Sequence, residues 1–381
     1  MADPKLKLGN DIWATKQKSL LAYNDEGGNF KSLPFQVDRI SGGTYVGRNG
    51  LVQYAASNEP RIDFTSNTKG ALLLEPQRTN NLLRSEEFDN SAWTKFSAGT
   101  GIAPVVTANY TTAPDGSNNA DRVVFDKGAG TGGSDLSQMR QIVTNVGQGV
   151  SSVYIKSNTS DSYTMGIDPV GNVTLITVTP EWQRFTYSET TNDRLAIGLR
   201  GSQTSNYADV SVWGAQMEAG TYATSIIPTS SAAVTRVVDT CNITSLQTTI
   251  MNDAVEGTLF VDLEFERETN GDVMQWRSST SNSGRAYFYN TQMGFADTYG
   301  ANGVVIYGLT ENSTIKAAFR LNSLSNATVF LNGVKGNTGN GNTWGDIGQL
   351  IFNATYWKMK INEIKMYNTA LSDSELQSLT S

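Results

Sequence analysis

Carboxylates carry most of the chemical potential of this chain. In the run DLEFE (262–266), Asp262, Glu264 and Glu266 fall at every second position, which places all three on one face of a strand. Two carboxyls opposed across about 5–9 Å in a cleft can cleave glycosidic bonds. The pair Glu86/Glu87 and the lone Glu363 are the other acids such a reaction could use. Alternation alone also generates a solvent-facing acidic stripe, so the same pattern describes an ordinary strand surface. Little else could build a reaction centre. The 381 residues include no histidine, and Cys241 is the single cysteine. Histidine is the usual proton shuttle near neutral pH and the commonest metal ligand. Ser-His-Asp and Cys-His sites, and the usual zinc sites, therefore cannot be assembled within the chain. The inventory predicts a binding or structural protein and no enzyme.

Aromatic residues are the second group with chemical promise. Pyranose faces are apolar and their hydroxyls need planar hydrogen-bonding partners, so exposed rings beside polar groups can bind sugars. Candidates are Tyr154, Tyr163, Trp182 and Tyr187, with Arg184 and Arg200 as polar partners, and later Tyr287 and Tyr289. Alternation sets Tyr154 opposite Val153 and Ile155, and gives Tyr287 and Tyr289 a common face with Phe288 on the other. Trp93 and Trp213 lie among apolar neighbours and are expected in the core. For each ring the competing role is core or intersubunit packing.

These residues need rigid elements beneath them, and the composition points to sheets. Hydrophobic residues make up 38% and charged residues 17%, with 36 Gly and 15 Tyr. Short aliphatic and aromatic alternations separated by Thr, Ser, Asn and Gly favour all-β domains over helical bundles. The length is too great for one core and implies two or three domains. The formal charge of −7, without a basic cluster, argues against a nucleic-acid groove. No apolar stretch reaches the roughly 20 residues that span a bilayer, and the start does not read as a secretory leader.

Three regions follow. Residues 1–80 combine a polar, lysine-rich leader with a short β-meander, and are expected to form an N-terminal attachment region. Asn49-Gly50, between TYVG and LVQY, is a hairpin signal. Residues 81–239 read as one β-sandwich, with strands near 121–125, 138–144, 150–156, 162–167, 171–177, 182–188, 193–199 and 208–217. Residues 240–381 read as a second, with strands near 257–265, 273–277, 285–290, 303–307, 314–321, 327–332, 348–353 and 359–367. Asn332-Gly333 should turn a hairpin. Ser372 with Glu375 at N3 should cap a short final helix, whose Leu371, Leu376 and Leu379 would lie on a sheet edge.

At 34–93 and 212–239 the residues resemble a widespread group of bacteriophage virion proteins, mostly tail, fibre or head-appendage components. The pattern runs TYVGRNGLVQYAASNEPRIDF, then LLLEPQRTNNLLRSEEFDNSAW, and closes with TPEWQRFTYS and VWGAQMEAGTYATSIIPTSSAAVTRVVD. Proteins of that group usually carry a jelly roll similar to carbohydrate-binding modules. The last region is similar to a concanavalin A-like, laminin-G-type sandwich through FLNGVKGN and INEIKMYNTALSDSELQSL.

The resemblance implies two β-sandwich (jelly-roll) domains preceded by an attachment region that docks on other virion proteins. It implies a homotrimeric appendage that presents modules for host surface glycan, assembled in the host cytoplasm and working on the virion. Neither nucleic acid nor membrane insertion is expected. A structural calcium ion is common in such jelly rolls, and the matching positions are Asp89 and Asp209. A purely architectural decoration protein and a carboxylate-based glycan depolymerase stay open as alternatives.

Overall fold

The computed structural model describes the chain except residues 17–18, 23–32, 145, 168–173, 192, 245–254, 268–271, 278–284, 290–291, 297–301, 310–311, 324–325 and 340–347. The architecture is all-β, with one short helix at Asp373–Thr380 among the described residues. No helix among them is long and apolar enough to cross a membrane. The chain divides into two compact units. A terminal unit comprises Met1–Gly50, Tyr54–Gln77 and Val237–Ser381, and an inserted unit comprises Leu51–Gln53 and Arg78–Arg236.

The terminal unit stacks two antiparallel sheets. One runs in the order Val334–Gly339, Asn326–Leu331, Ile315–Ser323, Gly257–Arg267, Trp357–Tyr367, Ala71–Leu74 and Ile62–Asp63, and Leu6–Gly9 also pairs with Trp357–Tyr367. The other contains Leu33–Asp38, Thr240–Ile243, Gln349–Asn353, Asp272–Arg277 and Arg285–Tyr289 as successive neighbours. Period-two alternation makes the core: Leu259, Val261, Leu263 and Phe265 of one sheet meet Met274, Trp276, Phe288 and Phe352 of the other. Asp262, Glu264 and Glu266 share the opposite face as the spacing requires, each half-buried.

The first 80 residues depart from expectation. They do not stand apart as a separate region: Leu6–Gly9, Ala71–Leu74 and Leu33–Asp38 hydrogen-bond into the sheets of the C-terminal sandwich. The reason is burial. Leu6, Leu8, Leu20, Phe35, Leu72 and Leu74 are too few to enclose themselves, and inside this sandwich each is fully buried.

Local signals behave as their chemistry dictates. Asn332 and Gly333 both take positive φ (47° and 78°) in a two-residue hairpin turn. At the Gly47–Gly50 turn only Gly50 does so (78°), with its N–H bonded to the Gly47 carbonyl at 2.9 Å. Ser372 caps the helix and Glu375 completes the capping box. Leu371 and Leu376 pack with Ala318, Phe330 and Tyr367 on the outer face of the sheet, not along its edge. Those three side chains leave an apolar area that the helix covers.

The inserted unit is a second sandwich of two five-stranded sheets among the described residues. One has the order Thr94–Ala98, Leu136–Ile142, Arg194–Arg200, Tyr163–Ile167 and Thr174–Val178. The other has Ile102–Thr111, Ala120–Asp126, Tyr207–Ala219, Gly149–Ser157 and Gln183–Glu189. Val123, Phe125, Val153, Ile155, Val210 and Val212 face Met139, Met165, Ile167, Leu195 and Ile197 across its core. Trp93 and Trp213 are buried, as expected of them.

Where the chain leaves and re-enters the terminal unit, four charges are sealed inside it. Asp239 receives Arg39 Nη1 at 2.9 Å and Arg61 Nη2 at 2.5 Å, and Glu75 receives Arg61 Nη1 at 2.6 Å. All four side chains are fully buried. The remaining donors of Arg39 reach the carbonyls of Ser41, Ala56 and Glu59. Desolvation works against the Arg61 charge, but Asp239 and Glu75 outweigh it and hold the guanidinium more firmly protonated than usual. Removing one partner strands a buried charge. Asp239→Asn is expected to cost about 3–5 kcal/mol, read as a shift in the urea unfolding midpoint. Replacing Arg61 and Glu75 together by Met and Leu should cost less than the sum of the two single changes.

Candidate functional site

The outer face of the sheet that holds Tyr207–Ala219 at its centre carries a polar and aromatic row. Residues facing away from Val123, Val153 and Val210 define it by strand parity. Cross-strand register sets Thr107 beside Arg122, Arg122 beside Ser211, and Ser211 beside Lys156. Asp209 lies on the same face and takes Arg122 in a two-pronged pair, Nε to Oδ1 at 2.8 Å and Nη2 to Oδ2 at 2.5 Å. Asn158 Nδ2 donates to Asp209 Oδ1 at 2.8 Å, and Ser211 Oγ donates to Asn158 Oδ1 at 2.6 Å.

Rings close both ends of this row. Tyr110 is about half exposed, and the Arg122 guanidinium stands 5.3 Å from its centroid. At the other end Lys156 Nζ is 5.5 Å from the Trp182 ring, whose Nε1 donates to the Thr112 carbonyl at 3.2 Å. Hydrogen bonding to Arg122 holds the Asp209 carboxyl below the ordinary aspartate range, against the opposing effect of burial. The same bond pushes the guanidinium further toward its charged form. The result is a set of partly exposed polar side chains, Arg122, Asn158 and Lys156, held over buried Asp209 and Ser211 and flanked by aromatic faces, which suits a polyhydroxylated ring.

The sequence-based candidates divide by parity. Trp182 belongs to the row. Tyr154 shares its face but stacks edge-on against buried Trp213 at 5.4 Å, with Arg184 over its ring at 5.6 Å. Arg184 itself is held by the Thr224 carbonyl and Ser152 Oγ, each at 2.8 Å. Gly214 makes this crowding possible: it takes φ +62°, and a Cβ there would stand 2.4 Å from Ile226. Two expected sugar contacts are corrected. Tyr163 is 8% exposed and faces the core, because it shares parity with Met165 and Ile167. Tyr187 packs against the core beside Phe185 and donates its hydroxyl to Glu189. Arg200 reaches the Gly133 carbonyl at 3.0 Å.

In the terminal unit Tyr287 is buried, so it offers no open ring, and the side chain of Tyr289 lies outside the described residues. The calcium expectation at Asp89 and Asp209 is also corrected. Asp209 is already neutralised by Arg122, whose positive charge opposes a cation. Asp89 is exposed, and Asp121 ties down its loop by accepting the backbone N–H groups of Phe88 and Asn109 at 2.7 and 2.8 Å. Among the described residues no group of three His, Cys, Asp or Glu side chains could hold a metal.

Sequence reasoning missed Arg122, Lys156, Asn158, Ser211 and Tyr110. The signal for Arg122 was present: in DRVVFD it alternates with Val123 and Phe125. The signal for Tyr110 was weaker, since its strand, Ile102–Thr111, was not expected at all.

The acids considered for hydrolysis have other engagements. Glu266 pairs with Lys358, Glu264 accepts from Thr314 Oγ1 at 3.2 Å, and Glu87 pairs with Arg84 at 3.0 Å. Glu86 is mostly buried beside Asp115, with Asn119 Nδ2 donating to it at 3.0 Å.

No protein-family model matches the chain, and no curated protein does. Several solved structures align with part of its length. The Ruminococcus gnavus IT-sialidase CBM40 bound to α2,3 sialyllactose matches 34% of this chain and 84% of its own, at 14% identity and TM-score 0.28. The botulinum neurotoxin type G receptor binding domain matches 36% and 38%, at 8% identity and TM-score 0.28. The alginate lyase AlgAT5 from polysaccharide lyase family 7 matches 29% and 58%, at 10% identity and TM-score 0.24.

Glu86 gives the inserted unit a distinct pH dependence. Burial, and then the Asp115 charge, push its carboxyl up to about 7. The folded state therefore holds this proton more tightly than the unfolded chain does. Its contribution is most favourable below the ordinary glutamate range and is lost as pH rises toward 7. Relative to wild type, Glu86→Gln should gain about 1–3 kcal/mol of unfolding free energy between pH 4.5 and pH 8. Denaturant titrations of both proteins at the two pH values check this. Equal pH dependence in the two proteins would contradict it.

Proposed function

We propose that this chain is a structural component of a phage particle and adsorbs to host surface glycan through the outer sheet face of its inserted unit. The observation that carries the binding role is the set Tyr110, Arg122, Asn158, Lys156 and Trp182, held from beneath by buried Asp209 and Ser211 through cross-strand register and internal hydrogen bonds. Its donors and acceptors are held in place before a ligand arrives, so little side-chain ordering is left to oppose binding. The mechanism is reversible contact without bond cleavage, a binding module and not an enzyme. Support for the particle comes from the sequence pattern at 34–93 and 212–239. In this reading part of residues 1–80 docks on other virion proteins. The chain works as a homotrimer on the virion, after assembly in the host cytoplasm, so that several weak sugar contacts add up to avidity.

One observation favours the purely architectural reading. The edge strand Ile102–Thr111 exposes Ile102 and Val105, each 62% accessible, and such an edge can pack against another chain. Glycan-array binding distinguishes the two. Trp182→Ala and Tyr110→Ala should each weaken array binding by roughly tenfold, equivalent to about 1.4 kcal/mol, at a temperature where the thermal midpoint shows each variant still folded. An array without signal, combined with tight incorporation into isolated particles, would favour decoration. Reducing ends released from host polysaccharide would favour hydrolysis.

A further inference from the structure

We infer that the terminal unit carries a separate pocket for an acidic sugar residue, on the outer face of its helix-bearing sheet. The pocket has a volume of about 460 Å³, within the roughly 300–1,000 Å³ range of small-molecule sites. Its floor is a pair of carboxylates, since Asp262 and Glu363 are direct cross-strand partners. Beside them the strand Trp357–Tyr367 bulges, and the extra residue, Asn362, lines the pocket. Asn362 Nδ2 donates to Asp262 Oδ1 at 2.9 Å and its Oδ1 accepts from Asn67 at 2.8 Å.

Three lysines surround the acids. Lys365 pairs with Glu363 at 2.7 Å, Lys69 donates to Asn10 Oδ1 at 2.8 Å, and Lys316, on the wall beside Asp262, donates to the Ser381 main-chain oxygen at 2.5 Å. The N-terminal segment closes one side through an unusual backbone. Gly9, Asn10 and Asp11 all have positive φ, and a Cβ on Gly9 would stand 2.2 Å from the Asn362 carbonyl. Consecutive left-handed residues are costly, and here they press Asn10 against the bulge.

The lining selects the ligand class. Glu363 matches Lys365 and the Ser381 main-chain oxygen holds Lys316, so Lys69, whose bond is to the neutral Asn10 amide, is left to meet a single anionic group. The carboxylate and amide oxygens accept from hydroxyls, and the lysine and asparagine nitrogens donate to them. A bare phosphate carries about one to two negative charges on a single centre and would bring them against both acids. A nucleobase would find no open ring, because Phe260 is 2% exposed beneath Lys365. A polyhydroxylated ring with one carboxylate satisfies the whole set. The inference does not depend on the row in the inserted unit.

Isothermal titration of the full chain with trisaccharides of galacturonate, glucuronate and mannuronate tests it, with maltotriose as the neutral probe. Binding of at least one acidic trisaccharide is expected, at least tenfold tighter than that of maltotriose. Lys69→Ala, at an exposed position, and Lys365→Gln should each weaken it at least fivefold. Absence of binding by all three acidic probes, equal binding of maltotriose, or indifference to both substitutions would overturn the assignment.

Discussion

The terminal unit depends on four charges that cannot reach water. Arg39, Arg61, Glu75 and Asp239 sum to zero and satisfy one another at 2.5–2.9 Å. Glu75 and Asp239 also exchange backbone contacts: the Glu75 N–H donates to Asp239 Oδ2 at 2.9 Å and the Asp239 N–H to the Glu75 carbonyl at 3.0 Å. These two residues stand just inside the points where the chain passes to the inserted unit, after Gln77, and returns, at Val237. A discontinuous unit needs its two crossing segments held together. A buried ion network does so with directional bonds that a hydrophobic contact lacks. The inserted unit meets the same need with its own set: Arg78–Asn80 pairs with Val234–Arg236, Arg78 lies 3.7 Å from buried Glu218, and Arg236 reaches Thr224.

With each unit anchored this way, the outer sheet faces are left to do the chemistry. A sandwich consumes one parity of each strand in its core, and the other parity is available for whatever the sequence places there. In the inserted unit that surface is a row of neutralised charges and rings. In the terminal unit it is a pocket of carboxylates, amides and lysines. Both rely on cross-strand neighbours far apart in sequence, such as Arg122 with Asp209, and Asp262 with Glu363.

The strands themselves were legible. Nearly every expected segment forms, because aliphatic and aromatic alternation encodes burial directly. Among the strands of the inserted unit that were not expected, Thr94–Ala98 and Ile102–Thr111 belong to its two main sheets. Both are edge strands, and the burial of Ile102–Thr111 is too low to leave an alternating pattern. The role of each aromatic was less legible. Tyr163 and Tyr187 read as possible sugar contacts because their residue type is right. Their parity with Met165 and Phe185 assigns them to the core.

By itself the sequence determined the all-β class, the Asn332-Gly333 turn, the Ser372 helix cap and the lack of histidine-based chemistry. Each of these is a property of residue type or short-range spacing. Tertiary structure alone decided that Leu6–Gly9, Leu33–Asp38 and Ala71–Leu74 complete the C-terminal sandwich, that Asp209 belongs to Arg122, and that Asn362 is the bulge residue at the Asp262–Glu363 pair. Those outcomes depend on which strand edges pair across tens to hundreds of residues. Pairing of that kind follows from the total apolar surface each arrangement can bury, and no local stretch of sequence contains that sum.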